Sequence, residues 1–177
     1  MLVVAATERE LAHVRGTDTL ACGIGPVEAA LQTAGALAER RPDAVLHIGI
    51  AGARGIPAPA LVLGSESVYC DVVDPSSLLK RIERIEPDAA FLARVRAALP
   101  EAYVLPIATA GRVGGGTACS VEAMEGFGVL RACALAGVPA VELRAIANTP
   151  DEADRDMWRF EDAFAALGEA VARVLSS

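Results

Sequence analysis

The stretch Cys22-Gly23-Ile24-Gly25-Pro26, its continuation to Arg40-Arg41-Pro42, and then Ala44-Val45-Leu46-His47-Ile48 carries the reading of the fold. Pro26 suits the first position of a helix, where its fixed φ is already helical and its missing N–H costs nothing. Val27, Ala30, Leu31, Ala34, Leu37 and Ala38 recur at helical spacing, which predicts one face packed on a sheet. Arg40 and Arg41 end the helix with positive charge where its dipole favours it. Ala44–Ile48 then reads as a buried strand, stopped by Gly49-Ile50-Ala51-Gly52.

Outward from that unit the same alternation continues. Leu2–Ala6 reads as a short buried strand, and Leu61–Tyr69 as another after the breakers Pro57 and Pro59. Asp88–Leu99 reads as a helix with Asp88 as N-cap and Phe91, Val95 and Leu99 on one face. Tyr103–Thr109 is a strand, Gly111–Gly116 a glycine-rich loop, Glu122–Ala136 a helix closed by Gly137, and Pro139–Ile146 a strand. Met157–Leu175 is amphipathic through Phe160, Phe164, Leu167, Val171 and Val174, whereas Asp71–Glu86 follows no clear pattern. The order β-α-β-β-α-β-α-β-α predicts an α/β fold: one domain over residues 1–177, with a central twisted, mostly parallel sheet flanked by helices.

Composition narrows the class. The 177 residues are 53% hydrophobic but only 4% aromatic, so the core is built from small aliphatic side chains. No run reaches the roughly 18 apolar residues of a membrane span, and Thr7–Glu10 is already polar where a secretory signal would be apolar. The expectation is a cytoplasmic protein without membrane partners. A net charge of −7, spread along the chain, disfavours a nucleic-acid partner because phosphates would be repelled. Cys22, Cys70, Cys119 and Cys133 stand at no metal-ligand spacing, and His13 and His47 add none; free thiols are expected, and no metal.

Four segments invite a functional reading. Gly23-Ile24-Gly25 before a helix suggests a dinucleotide loop, but the third glycine is missing and no acid closes the next strand; a tight turn able to hold a small substrate against its amides reads better. Thr7-Glu8-Arg9-Glu10 follows the first strand, at the edge where open α/β sheets bind ligands, or is simply solvated. Glu122-Ala123-Met124-Glu125-Gly126 reads either as an acidic first helical turn or as part of a site. Arg144 and Asn148 are strongly polar in an apolar strand, so they are either satisfied structural groups or ligand contacts.

Taken together, Ala6–Leu11, Gly23-Ile24-Gly25, Gly49-Ile50-Ala51-Gly52, Glu122–Gly126, Gly137-Val138-Pro139 and Arg144–Asn148 resemble the purine nucleoside phosphorylase/nucleosidase superfamily in order and spacing. The closer resemblance is to methylthioadenosine/S-adenosylhomocysteine nucleosidases and their futalosine hydrolase relatives. It implies a nucleoside phosphorylase-like fold and N-ribosyl hydrolysis without cofactor or metal. It further implies that Glu10 handles the attacking water, Glu125 grips the ribose hydroxyls with Met124 against the sugar, and Arg144 organises the water site. Ala51 and Gly52 fall on the substrate, and Trp158 falls over the 5′ side. Asn148 stands where the methylthioadenosine enzymes carry an aspartate. A carboxamide NH₂ answers the two acceptors O6 and N7 of a 6-oxopurine, where an ionised carboxylate would not. With Asp154-Arg155-Asp156-Met157-Trp158 this is the futalosine hydrolase pattern. The resemblance thus implies futalosine as substrate, hypoxanthine as product, a place in menaquinone biosynthesis, and a homodimer.

Three departures stand out: Ala147 where relatives have Ser, a short Glu10–Gly23 segment, and a shortened Gly111–Ser120 region. Three rival readings remain open: a methylthioadenosine/S-adenosylhomocysteine-type nucleosidase, a purine nucleoside phosphorylase, and a non-catalytic nucleoside-binding protein. A phosphorylase would need cationic groups converging on phosphate, and only Arg9 and Arg15 are offered near the N-terminus. A non-catalytic nucleoside binder would have little use for both Glu10 and Glu125.

Overall fold

The computed structural model describes residues 1–73, 76, 81–114 and 116–177. Along the chain come β1 (Leu2–Ala5), α1 (Glu8–Leu11), β2 (Asp18–Ala21), α2 (Pro26–Arg40), β3 (Val45–Ala53) and β4 (Leu61–Tyr69). There follow β5 (Arg84–Ile85), α3 (Ala89–Ala98), β6 (Tyr103–Thr109), β7 (Val121–Ala123), α4 (Gly126–Ala136), β8 (Ala140–Asn148) and α5 (Phe160–Leu175). The α/β expectation is correct, with one sheet flanked by helices.

The sheet is mixed. β1 lies between β2 and β3, parallel to both, and β3 runs parallel to β8 along most of its length. At Gly52 and Ala53 the end of β3 pairs antiparallel with β7. β7 is parallel to β6, β6 is parallel to β4, and β4 is antiparallel to β8. The path β3-β8-β4-β6-β7 therefore returns to β3 and closes a ring, a feature that the order of elements does not reveal. Register shifts at Ala51/Gly52 and at Gly64/Glu66 supply the bends that closure needs.

Alternate residues of the strands face opposite layers. Val3 and Ala5 join Leu46, Ile48, Leu143, Phe91, Val95, Leu167 and Val171 beneath α1, α3 and α5. Leu2 and Val4 join Val45, Ala29, Leu37, Val129, Leu130 and Cys133 beneath α2 and α4. Ala51, Ala53, Val62, Ile107, Val121 and Ile146 form a third cluster within the ring. Fully burying each large aliphatic side chain contributes about 1.5–3 kcal/mol.

Several expected boundaries shift. β3 continues through Gly49-Ile50-Ala51-Gly52 to Ala53 instead of stopping there, because β8 and β7 pair with those glycines. Glu122 lies in the short strand β7, and the helix begins only at Gly126. Arg155–Met157 is a 3-10 turn, so α5 starts at Phe160 rather than Met157. Part of the unpatterned Asp71–Glu86 region forms β5 as an edge strand, while residues 74, 75 and 77–80, like residue 115 of the glycine-rich loop, lie outside the described residues. Asp88 caps α3 as expected, accepting the Phe91 N–H at 2.8 Å, and Gly137 closes α4 with φ 68°.

The buried face of α2 is also shifted, and of the expected residues only Leu37 lies fully inside. Ala29, Thr33, Ala36 and Leu37 are buried, whereas Ile24, Val27 and Leu31 are 64%, 68% and 65% exposed. An alanine-rich helix carries two apolar stripes, and periodicity alone does not choose between them. The stripe of small residues packs inward, where α4 crosses closely.

Candidate active site

The ends of β1, β3 and β8, which run parallel, bring their following residues to one edge, together with the start of α4. There a cavity of about 340 Å³ is lined by Glu10, Ala51, Gly52, Met124, Glu125, Asn148 and Trp158. Seven of the eight residues singled out from the sequence thus meet around one space. The eighth, Arg144, is fully buried beneath it.

Glu10 is placed by local capping. Thr7 ends the extended chain of β1 and caps α1; its N–H and Oγ donate to Glu10 Oε2, both at 2.9 Å, and its Oγ accepts the Glu10 N–H at 3.4 Å. Glu10 Oε1 accepts the Ile50 N–H at 3.1 Å, so the carboxylate is fixed at both oxygens and only 5% exposed as a residue. The charged run after β1 is therefore a capping box with its acid turned inward.

Arg144 pairs with Glu125 and lies near Glu10. Its Nη1 lies 3.5 Å from Glu125 Oε2 and from the Ile50 carbonyl oxygen. A Cβ at Gly49 would fall 2.2 Å from Arg144 Nη1 and 2.9 Å from Glu10 Oε1, so only glycine lets both groups lie against β3. Glu125 Oε1 accepts the Gly25 N–H at 3.1 Å. The amide of the glycine turn expected to hold a substrate is thus engaged by a carboxylate of the protein. Burial pushes the Glu125 carboxyl above its ordinary pKa against the pull of Arg144 and the Gly25 amide, with Glu10 and Glu142 adding to the rise.

Asn148 closes β8 and faces Gly52, its register partner on β3. One amide hydrogen is given to the Thr149 carbonyl oxygen at 2.7 Å, which leaves one N–H and the oxygen for other partners. Trp158 is half-buried, donates its Nε1–H to the Glu152 carbonyl oxygen at 3.1 Å, and stands 5.4 Å from the Phe160 ring. Phe164 continues the aromatic wall, Arg9 lies over Phe160 and Phe164, and Arg155 over Trp158. Arg15 does not line the cavity; it donates to the Val14 carbonyl oxygen.

The sequence profile of the phosphorylase superfamily matches residues 19–177. The chain belongs to the phosphorylase superfamily. Within it the chain is a homologue of a futalosine hydrolase from Streptomyces coelicolor, 35% identical over 90% of this chain and 78% of that protein. A futalosine hydrolase from Thermus thermophilus is 44% identical over a shorter stretch, 32% of this chain and 25% of that protein. Solved structures show the same fold. A futalosine hydrolase mutant from Helicobacter pylori superposes with a TM-score of 0.83 at 19% identity, covering 99% of this chain and 96% of that one. A 5′-methylthioadenosine/S-adenosylhomocysteine nucleosidase from Streptococcus pneumoniae, bound to a transition-state inhibitor, gives 0.82 at 21% identity, covering 98% and 95%.

This superfamily member also holds residues that the sequence reading passed over. Glu142 and His47 are both fully buried beside Arg144. Glu122 lines the cavity, and its Oε1 is held by Arg54 and Thr117 at 2.9–3.0 Å. All four cysteines are free; burial pushes the Cys22 and Cys133 thiols up to about 12, so neither is reactive near neutrality. Among the described residues no His, Cys, Asp or Glu cluster is arranged to hold a metal, and no helix is long and apolar enough to cross a membrane.

Proposed function

We propose that the chain hydrolyses the N-ribosidic bond of a 6-oxopurine nucleoside, with futalosine as substrate and hypoxanthine as the released base. The observation that carries this reading is the meeting of two buried glutamates and a carboxamide, Glu10, Glu125 and Asn148, in one cavity. Breaking the bond leaves positive charge on the sugar. Glu125 supplies negative charge and an acceptor for the ribose hydroxyls, interactions that strengthen as the sugar becomes cationic. Met124, beside it, packs against the sugar. Glu10 takes the proton from the attacking water, while Arg144 holds Glu125 in place. The free N–H of Asn148 donates to O6 or N7 of the leaving base. Ala51 and Gly52 give that base room, since no side chain larger than methyl rises there.

Trp158, Phe160 and Phe164, with Arg9 and Arg155 over them, suit an aromatic and anionic 5′ substituent. Hydrolysis is favoured over phosphorolysis because the Gly25 amide is occupied by Glu125 and, of the two N-terminal arginines, Arg15 lies away from the cavity while Arg9 is engaged by Glu161 and the Phe160 and Phe164 rings. We further infer a cytoplasmic homodimer acting in menaquinone biosynthesis, in keeping with the futalosine hydrolases it resembles.

The test is base release from futalosine, inosine and methylthioadenosine, each with and without phosphate. Phosphate-independent release of hypoxanthine from futalosine is expected. Release only with phosphate would make the chain a phosphorylase, and preference for methylthioadenosine would make it a nucleosidase of the 6-amino kind. Binding without release would leave a nucleoside-binding protein.

A further inference from the structure

Arg144 is the largest fully buried side chain of the protein, and two residues that line no part of the cavity determine how it is held. Its Nε–H donates to Glu142 Oε1 at 2.9 Å. Its Nη2 lies 2.6 Å from His47 Nε2. His47 Nδ1 stands 3.0 Å from the Val4 carbonyl oxygen, which can only accept, so the proton sits on Nδ1 and the Nε2 lone pair receives the arginine. Glu142 is steadied in turn by the Ser67 hydroxyl, which donates to Oε2 at 2.5 Å. These contacts fix Nε and Nη2, and Nη1 is the end left toward Glu125 and the Ile50 carbonyl.

We infer that Glu142 and His47 are positioning residues for the reaction: they clamp the Arg144 guanidinium so that its Nη1 edge orders Glu125 for catalysis. The inference rests on the hydrolase reading above. Packing supports it. A Cβ at Gly126 would fall 2.2 Å from both Glu142 carboxylate oxygens, so the start of α4 is shaped to admit this acid next to Glu125. The charge arrangement is also specific, with two buried carboxylates, Glu125 and Glu142, sharing one guanidinium and Glu10 nearby. Burial first, and then Arg144, keep His47 far below its ordinary pKa. A neutral imidazole is therefore the form that fits.

The clamp affects turnover more than binding, because misplacing a catalytic group by about 1 Å costs on the order of a hundredfold in rate. Three variants test it. His47→Leu removes the acceptor, and Glu142→Gln removes the charge; each should lower kcat about 10- to 100-fold with KM within about threefold. His47→Gln keeps an acceptor for Arg144 and a donor for Val4, and should recover most of the lost kcat.

The acid limb of kcat/KM gives a second readout. Glu125 is faced by Arg144 and Glu142 from β8, Glu10 from α1, the Gly25 amide before α2, and the Cys22 thiol, with neutral His47 behind Arg144. Removing the charge of Glu142 takes away a group that raises the Glu125 pKa, so the limb should move to lower pH in Glu142→Gln. Imidazole ¹⁵N spectra of the wild type read the clamp without turnover, and a neutral Nδ1–H tautomer is expected at neutral pH.

An active wild type with unchanged kcat in the variants, equal losses in His47→Leu and His47→Gln, an unmoved acid limb, or an Nε2–H tautomer would each overturn the clamp. An inactive wild type that retains the Nδ1–H tautomer would instead overturn the hydrolase reading, and with it the clamp's catalytic role.

Discussion

Glu10 Oε1 accepts the backbone N–H of Ile50 at 3.1 Å, which ties the first helix to the middle of β3. The acid is thus held by the chain itself, not only by the water it is proposed to activate. In Glu10→Gln one of the two carboxylate oxygens becomes a donor facing the N–H of Ile50 or Thr7, a mispairing of about 1–3 kcal/mol. The variant should melt at a lower temperature yet fold. Its kcat should fall by about two orders of magnitude or more, on the scale of general-base removal, with KM little changed. Steady-state kinetics beside thermal unfolding check this, and wild-type turnover would remove Glu10 from the mechanism.

Asn148→Asp should shift preference from 6-oxo toward 6-amino nucleosides. An ionised carboxylate would face O6 and N7, both acceptors, and would also lose the donor now given to Thr149. The 6-oxo substrate should lose about 10- to 100-fold in kcat/KM, with a smaller loss or a gain for the 6-amino analogue. Matched kcat/KM values in both proteins decide it; an unchanged ratio would mean that the carboxamide does not contact the base.

Gly49→Ala should impair catalysis more than folding. The new methyl would displace the Arg144 Nη1 end, which Glu142 and His47 hold from behind, and crowd Glu10. Overpacking of this kind costs about 1–3 kcal/mol. Turnover should fall at least tenfold, since both proposed catalytic acids lose their register. A variant as active as the wild type would show that the close approach at Gly49 is not needed.

Ile24, Val27 and Leu31 form an exposed apolar stripe on α2 and the turn before it, and Ile24 also lines the cavity. A second copy of the chain covering this stripe would account for apolar side chains that the fold leaves bare. Light scattering at micromolar concentration should report a dimer, and Val27→Glu with Leu31→Glu a monomer. A wild-type monomer would contradict it.

Much of this was legible in the sequence because it lay at the ends of strands. Glu10 after β1, and Arg144 and Asn148 within β8, stand out as polar groups next to apolar runs. Glu142 carried the same signal and lies two residues before Arg144 on the same side of β8, but one charge in a buried strand does not reveal its partner. His47 was hidden more deeply, since neutral imidazole passes among aliphatic neighbours. Thr7-x-x-Glu10 is a capping-box pattern, although the helix it starts is only four residues long. β7 is three residues long and pairs with segments far away in the chain, so nothing local marks it. The buried side of α2 was undecidable for the opposite reason: alanine suits both stripes.

The closed path of strands has a consequence for how the molecule meets its neighbours. In the ring, β3, β8, β4, β6 and β7 have partners on both sides, so the described sheet offers only β2 and β5 as edges. β2 is four residues long and begins with Asp18; β5 is two residues long and includes Arg84, paired with Glu66. Short, charged edges are poor templates for an incoming strand. The fold therefore resists fibril-like strand addition, and association between copies is left to helical faces.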